Sequence, residues 1–192
     1  MSVDRPGFST LDLPGNTYTV KQSLVRNKYA AYDENGELVC RAKQKLLKMK
    51  EEFPFVDADG DPVFTVKAGG ILDIAGNYAI IDAETGERMA ILDNDFSLFR
   101  DTWTIRDGKT EEPVAKISSR GTLVTLARNL LPFGELIPHK YEITDHRGTH
   151  VGAIDGQFSL RDQYRIVIDD AETVPKDAVV ASAMVIDAIQ GN

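Results

Sequence analysis

The run Asp177-Ala178-Val179-Val180-Ala181-Ser182-Ala183-Met184-Val185-Ile186-Asp187-Ala188-Ile189 has only two polar residues, Ser182 and Asp187, between Ala178 and Ile189. Drawn as a helix it has no wet face, and a helix that is apolar all round belongs in a core or a membrane. At ~1.5 Å per residue it spans roughly 20 Å, short of the ~20 residues a bilayer crossing takes. The reading is a buried helix over about 177–190, with the rest of the chain wrapped around it. Asp187 is expected at the mouth of whatever encloses the helix; a buried carboxylate paired with an arginine is the alternative.

Working back from that helix, one pattern repeats. An apolar or aromatic run meets an Asp, a few polar residues, a Gly, and a second apolar run. It occurs as Tyr29–Gly36, Phe55–Gly60, Tyr78–Gly86 and Tyr141–Gly148, and in degenerate form as Trp103–Gly108. Asp at the first corner and Gly at the fourth is the signature of a type I turn, whose carboxylate caps local N–H groups. The flanking runs have strand length and composition. Turn glycines 36, 60, 86 and 108 are 24, 26 and 22 residues apart, and 40 residues then separate Gly108 from Gly148. The longer gap holds 121–136, whose helical periodicity ends at Pro132, so a short inserted helix is expected there. A last strand pair, 157–160 and 163–168, leads through Pro175 into the terminal helix. Residues 1–17 read as an extended lead-in and 18–192 as one domain. About a dozen strands in consecutive hairpins imply an antiparallel sheet. Closing such a sheet removes its edges, and a barrel that wide needs a plug. The fold class is therefore mainly β: a closed antiparallel barrel of about twelve strands around a buried C-terminal hydrophobic helix.

The net charge of −8 is unevenly distributed. Residues 18–50 hold Lys21, Arg26, Lys28, Arg41, Lys43, Lys45, Lys48 and Lys50 against Asp33, Glu34 and Glu37, a balance of +5, leaving −13 elsewhere. The acidic remainder argues against generic nucleic-acid binding, which depends on neutralising phosphates. An Asp excess with equal Lys and Arg resembles salt-adapted prokaryotic composition. One cysteine, Cys40, excludes an internal disulfide and suits a reducing compartment. With no secretory signal or transmembrane-length window read in the sequence, the expected location is cytoplasmic, with peripheral membrane attachment following if a lipid is bound.

The run Tyr18-Thr-Val-Lys-Gln-Ser, the segment Arg41-Ala-Lys-Gln-Lys-Leu-Leu-Lys-Met-Lys, the Asp-x-x-Gly hairpins and the apolar terminal helix together resemble the LURP-one-related family, over about residues 18–190. That family belongs to the tubby-like and phospholipid-scramblase superfamily. The resemblance implies a twelve-stranded antiparallel barrel threaded by a C-terminal helix. It implies less about function: tubby-like relatives bind phosphoinositide head groups, and scramblases are linked to calcium and lipid movement.

The best binding candidate is the basic run Arg41, Lys43, Lys45 and Lys48, with Lys50. In a strand the first three share a face and can meet phosphates; Lys48 follows a break at Leu46-Leu47. A solvated, edge-guarding face is the plainer reading, and high salt would screen an electrostatic site. Asp57-Ala-Asp59-Gly-Asp61 is superficially like a calcium loop, but Pro62 stands where such a loop needs glycine, so a hairpin turn is expected. Asp93-Asn-Asp95 with Asp101 is an acidic cluster read as an inter-strand loop. His139, His146 and His150 lack zinc spacing, and Cys40 has no paired base. No metal or cofactor is expected. Nucleophile-elbow, phosphate-loop, dinucleotide and His-Glu-x-x-His motifs are absent from the sequence.

The chain thus reads as a non-catalytic binding or scaffold module for an anionic phospholipid or other phosphate-bearing ligand. A protein-interaction module docking an acidic partner is the alternative. A small-ligand carrier or hydrolase with dispersed catalytic residues is the third reading, and it would need a cavity beside the helix.

Overall fold

The computed structural model describes residues 11, 13–23, 28–43, 52–68, 78–96, 101–119, 140–157 and 163–190, with backbone only at 23, 28, 43, 95, 96, 101, 157 and 187–190. The strands are β1 (Thr17–Ser23), β2 (Lys28–Tyr32), β3 (Leu38–Lys43), β4 (Glu52–Val56), β5 (Pro62–Ala68), β6 (Tyr78–Asp82), β7 (Arg88–Phe96), β8 (Asp101–Asp107), β9 (Pro113–Ser119), β10 (Lys140–Asp145), β11 (His150–Gln157) and β12 (Gln163–Ile168). Each pairs antiparallel with its sequence neighbours, and β1 pairs with β12, closing a twelve-stranded barrel. The expected inserted helix at 121–136 and the segment 158–160 lie outside the described residues.

The C-terminal helix, Lys176–Gln190, occupies the barrel interior. Every residue from Ala178 to Ile186 is buried, more than two full turns with no exposed face. The helix touches β2 and β12 on one wall and β7 and β8 on the opposite wall. Only an enclosed rod meets both. Strand residues at alternate positions supply the lining: Tyr18, Val20, Cys40, Ala42, Phe64, Val66, Leu92, Ile105, Ile117, Ile143 and Ile166 are all buried. The Tyr164 hydroxyl donates to the Ala183 carbonyl at 3.2 Å, and Lys176 donates to the carbonyls of Leu13 (2.5 Å) and Gly15 (2.8 Å), tying the lead-in to the helix start. Leu11 and Leu13 are themselves buried, so the lead-in helps to form the core.

All five Asp-initiated hairpins lie at one end of the barrel, with the helix start. In each, the leading carboxylate accepts backbone N–H bonds, as when Asp145 takes those of Arg147 (2.8 Å) and Thr149 (2.7 Å), and Asp57 those of Gly60 (2.8 Å) and Asp61 (2.9 Å). The register also slips once per hairpin, just before the turn, leaving Val39, Val63, Met89, Val114 and Val151 as bulged residues. A bulge frees its residue from the ladder. At three of them the carbonyl takes an N–H from the next turn: Val63 from Ala83, Met89 from Gly108, Val151 from Asp169. Neighbouring hairpins are thereby latched together.

The fourth turn departs from expectation. Its left-handed residue is Glu111 (φ 60), equivalent to Gly86 (φ 70) in the third turn, since each donates its N–H to the carbonyl of its leading Asp at 3.0 Å. Gly108 is needed for another reason: a Cβ there would lie 1.8 Å from the Arg88 carbonyl oxygen. The acidic stretch at 93–95 is also corrected, because it lies inside β7 rather than in a loop. Asp93 forms an ion pair with Arg106 on β8, so its charge is matched across the sheet and the strand continues through it.

Candidate functional site

Barrel closure gathers cations that the sequence keeps apart. In the order β12, β1, β2, β3, neighbouring strands contribute Arg165, Lys21, Lys28, and Arg41 with Lys43. No Asp or Glu occurs in any of these four strands. Thr19 pairs with Arg165, Lys21 with Ala30, and Ala30 with Arg41. One step beyond the buried Tyr29–Ala42 pair, Lys28 stands directly opposite Lys43.

The individual positions differ. Lys21 is exposed, its ammonium 4.6 Å from the Tyr32 ring centroid, a cation–π contact that leaves the charge in water. Arg165 is exposed too. Arg41 is half-buried and turned toward the hairpin end: its Nη2 donates to the Ala58 carbonyl at 3.2 Å, while Nε is buried without a partner. It also faces Asp57, whose carboxyl is held below the usual range, first by the Asp61 N–H and then, against some desolvation, by those of Gly60 and Asp59, with the Arg41 charge a smaller contribution. Of the basic run read from the sequence, Arg41 and Lys43 fall in β3, two positions apart, whereas Lys45 and Lys48 lie outside the described residues. Lys21, Lys28 and Arg165 are the residues that sequence reading left out. Lys21 and Lys28 were visible as charge but not as neighbours, and Arg165 needed the β1–β12 pairing.

Of the remaining sequence candidates, His139 and the Asp187 side chain lie outside the described residues, and His150, Cys40 and Asp57 have structural roles. His150 sits between Glu142 (3.1 Å) and Asp169 (3.2 Å), bracing the last hairpin against the segment before the helix. The Cys40 thiol faces the lumen, where burial pushes its pKa up to about 12. Asp57 caps its turn. Among the described residues, no three His, Cys, Asp or Glu side chains cluster as a metal site would need. Among them, too, no helix is long and apolar enough to cross a membrane.

A family model described as LURP-one-related matches residues 40–187. The chain belongs to the LURP-one-related family. The match spans the barrel from β3 into the C-terminal helix, and so includes Arg41 and Lys43 but not Lys21 or Lys28. Among solved structures, this LURP-one-related chain is similar to a protein from Arabidopsis thaliana, with TM-score 0.56 and 11% identity, covering 95% of this chain and 99% of that one. At that identity the likeness concerns the fold alone, the tubby-like barrel. No curated protein gives a significant sequence match.

Proposed function

We propose that this LURP-one-related barrel is a non-catalytic binding module for a phosphate-bearing anion, with the head group of an anionic phospholipid as the preferred ligand. The basic face of Arg41 and Lys43, continued by Lys45 and Lys48 in the following joint, would engage it, flanked by Lys21, Lys28 and Arg165. The observation behind this reading is the concentration of five cations and no acid on four adjoining strands of a protein whose net charge is −8. Each cation near an anionic lipid surface contributes ~1 kcal/mol at ordinary salt.

Flotation with neutral and anionic vesicles, at low and high salt, tests the reading. The native protein should float only with anionic vesicles and be released by salt. Lys43→Glu/Lys45→Glu should lose at least ~2 kcal/mol, about thirtyfold in affinity. Binding that the double variant leaves untouched sinks the proposal. Salt-sensitive capture of an acidic protein, with no lipid retained, would replace it with the interaction-module reading.

A further inference from the structure

We infer that the barrel encloses one internal water, held between the indole N–H of Trp103 on β8 and the hydroxyl of Ser182 on the C-terminal helix. The site is independent of the basic outer face and of any ligand bound there.

Trp103 and Ser182 are both fully buried, and among the described residues neither Trp103 Nε1 nor Ser182 Oγ has a hydrogen-bond partner. A serine inside a helix ordinarily returns its hydroxyl to the carbonyl four residues back, here that of Ala178, and Ser182 does not. Buried polar groups are costly to leave unpaired, and such a pair on one side of a lumen calls for a partner between them.

Their positions around the barrel follow from two fixed points of the helix. The Ala183 carbonyl is held by Tyr164 on β12, and Met184 meets Cys40 on β3. Successive helix residues turn by ~100°, so Ser182, one step back from Ala183 and away from Met184, points to the opposite wall. There the helix touches β7 and β8. On β8, Trp103 and Ile105 are buried while Thr102, Thr104 and Arg106 are not, so Trp103 faces the lumen. Depth agrees as well. The helix start and the hairpin after Asp107 lie at the same end, and Ser182 follows Lys176 by six residues while Trp103 precedes Asp107 by four. That sets Ser182 ~9 Å deep, and Trp103 ~10 Å deep once a strand rise of ~3.3 Å is reduced by a tilt of ~40°.

The chemistry of the two groups selects the occupant. An indole N–H only donates, whereas a hydroxyl both donates and accepts, so the molecule between them must accept from the first. Ile117, paired directly with Trp103, and Ile105 and Leu92 beside it are apolar, surroundings in which an ion would be unmatched. Water is the smallest molecule that satisfies both groups. The buried Asn94 amide oxygen, paired in register with Trp103, is a third group on the same wall, and internal waters make about three hydrogen bonds. The water keys the helix to the wall, because rotating the helix would strand both groups.

A crystal structure of the native protein should show a water ~2.5–3.2 Å from both Trp103 Nε1 and Ser182 Oγ. A dry contact, or a Ser182 hydroxyl turned back onto the Ala178 carbonyl, overturns the inference. Ser182→Ala tests it in solution by the sign of its effect, since it removes one oxygen and keeps the helix. Deleting a merely unpaired hydroxyl stabilises a protein, whereas deleting a water's anchor leaves the indole N–H alone. Trp103 is the only tryptophan, so its emission reports the site directly. The variant should have a lower urea midpoint and emission shifted to the blue. A higher midpoint, or emission that does not move, overturns the inference.

Discussion

The Cys40 sulfur on β3 lies 3.5 Å from the Met184 sulfur on the C-terminal helix, joining the barrel wall to its interior rod. The two residues are far apart in sequence, and neither is exposed. Because thiolate is the reactive form and burial pushes the Cys40 pKa up to about 12, the folded protein should resist iodoacetamide at neutral pH. Alkylation followed by mass spectrometry should be slow in buffer and fast in urea. Rapid labelling in buffer would mean that the helix leaves the barrel.

Removing the helix should remove the fold. Val179, Val180, Met184, Val185 and Ile186 are all buried. At ~1.5–3 kcal/mol each, they supply roughly the whole net stability of a domain, ~5–15 kcal/mol. A chain lacking residues 178–192 should show no cooperative urea transition. Met184→Ala, a gentler change, should cost ~2–5 kcal/mol in the same titration.

Two glycines should behave differently on substitution. Gly86→Ala meets no atom within 4 Å, so only its left-handed backbone is penalised, by ~1–2 kcal/mol. Gly108→Ala drives a methyl into the Arg88 carbonyl, which is backbone and fixed by the latch from Gly108 to Met89. Differential scanning calorimetry should find a modest Tm loss for the first and failure to fold, or a far larger loss, for the second.

Acid should weaken the hairpin end. For Asp145 and Asp107, desolvation opposes ionisation, but backbone N–H bonds prevail and hold both carboxyls below the usual range; for Asp170 the Thr173 hydroxyl is the first cause of the same shift. A depressed folded pKa contributes stability that is fully present above the unfolded value of ~3.9 and lost as pH falls through the folded one. Urea midpoints should therefore hold from neutral pH to about 5 and decline below ~4. Asp145→Asn, which cannot ionise, should flatten that decline while lowering the midpoint at neutral pH.

Much of the architecture was legible in one dimension. Asp followed by Gly announces a turn because the chemistry is local: a carboxylate reaching N–H groups two to four residues on, as Asp33 does with Asn35 and Glu37. The fourth hairpin misled because Gly108 lay near the expected place, while Glu111 had taken the left-handed role and Gly108 answered to a carbonyl on another hairpin. The acidic run at 93–95 misled for a similar reason. Its partner, Arg106, lies across a strand pair, and no local rule places the two side by side.

The sequence by itself determined what short-range physics can write: the turns, the alternating strands, the all-apolar helix and the basic bias of residues 18–50. Only the tertiary structure decided which strands became neighbours. Closure set β12 beside β1, and so put Arg165 with Lys21, Lys28, Arg41 and Lys43; the common direction of the five hairpins sent the thirteen acids of their turns to one end. The first follows from hydrogen bonding between strands far apart in the chain, the second from the antiparallel pairing of each strand with its sequence neighbours. Such pairing selects register by burial of the inward faces around the helix, and the outer charges are carried along with it.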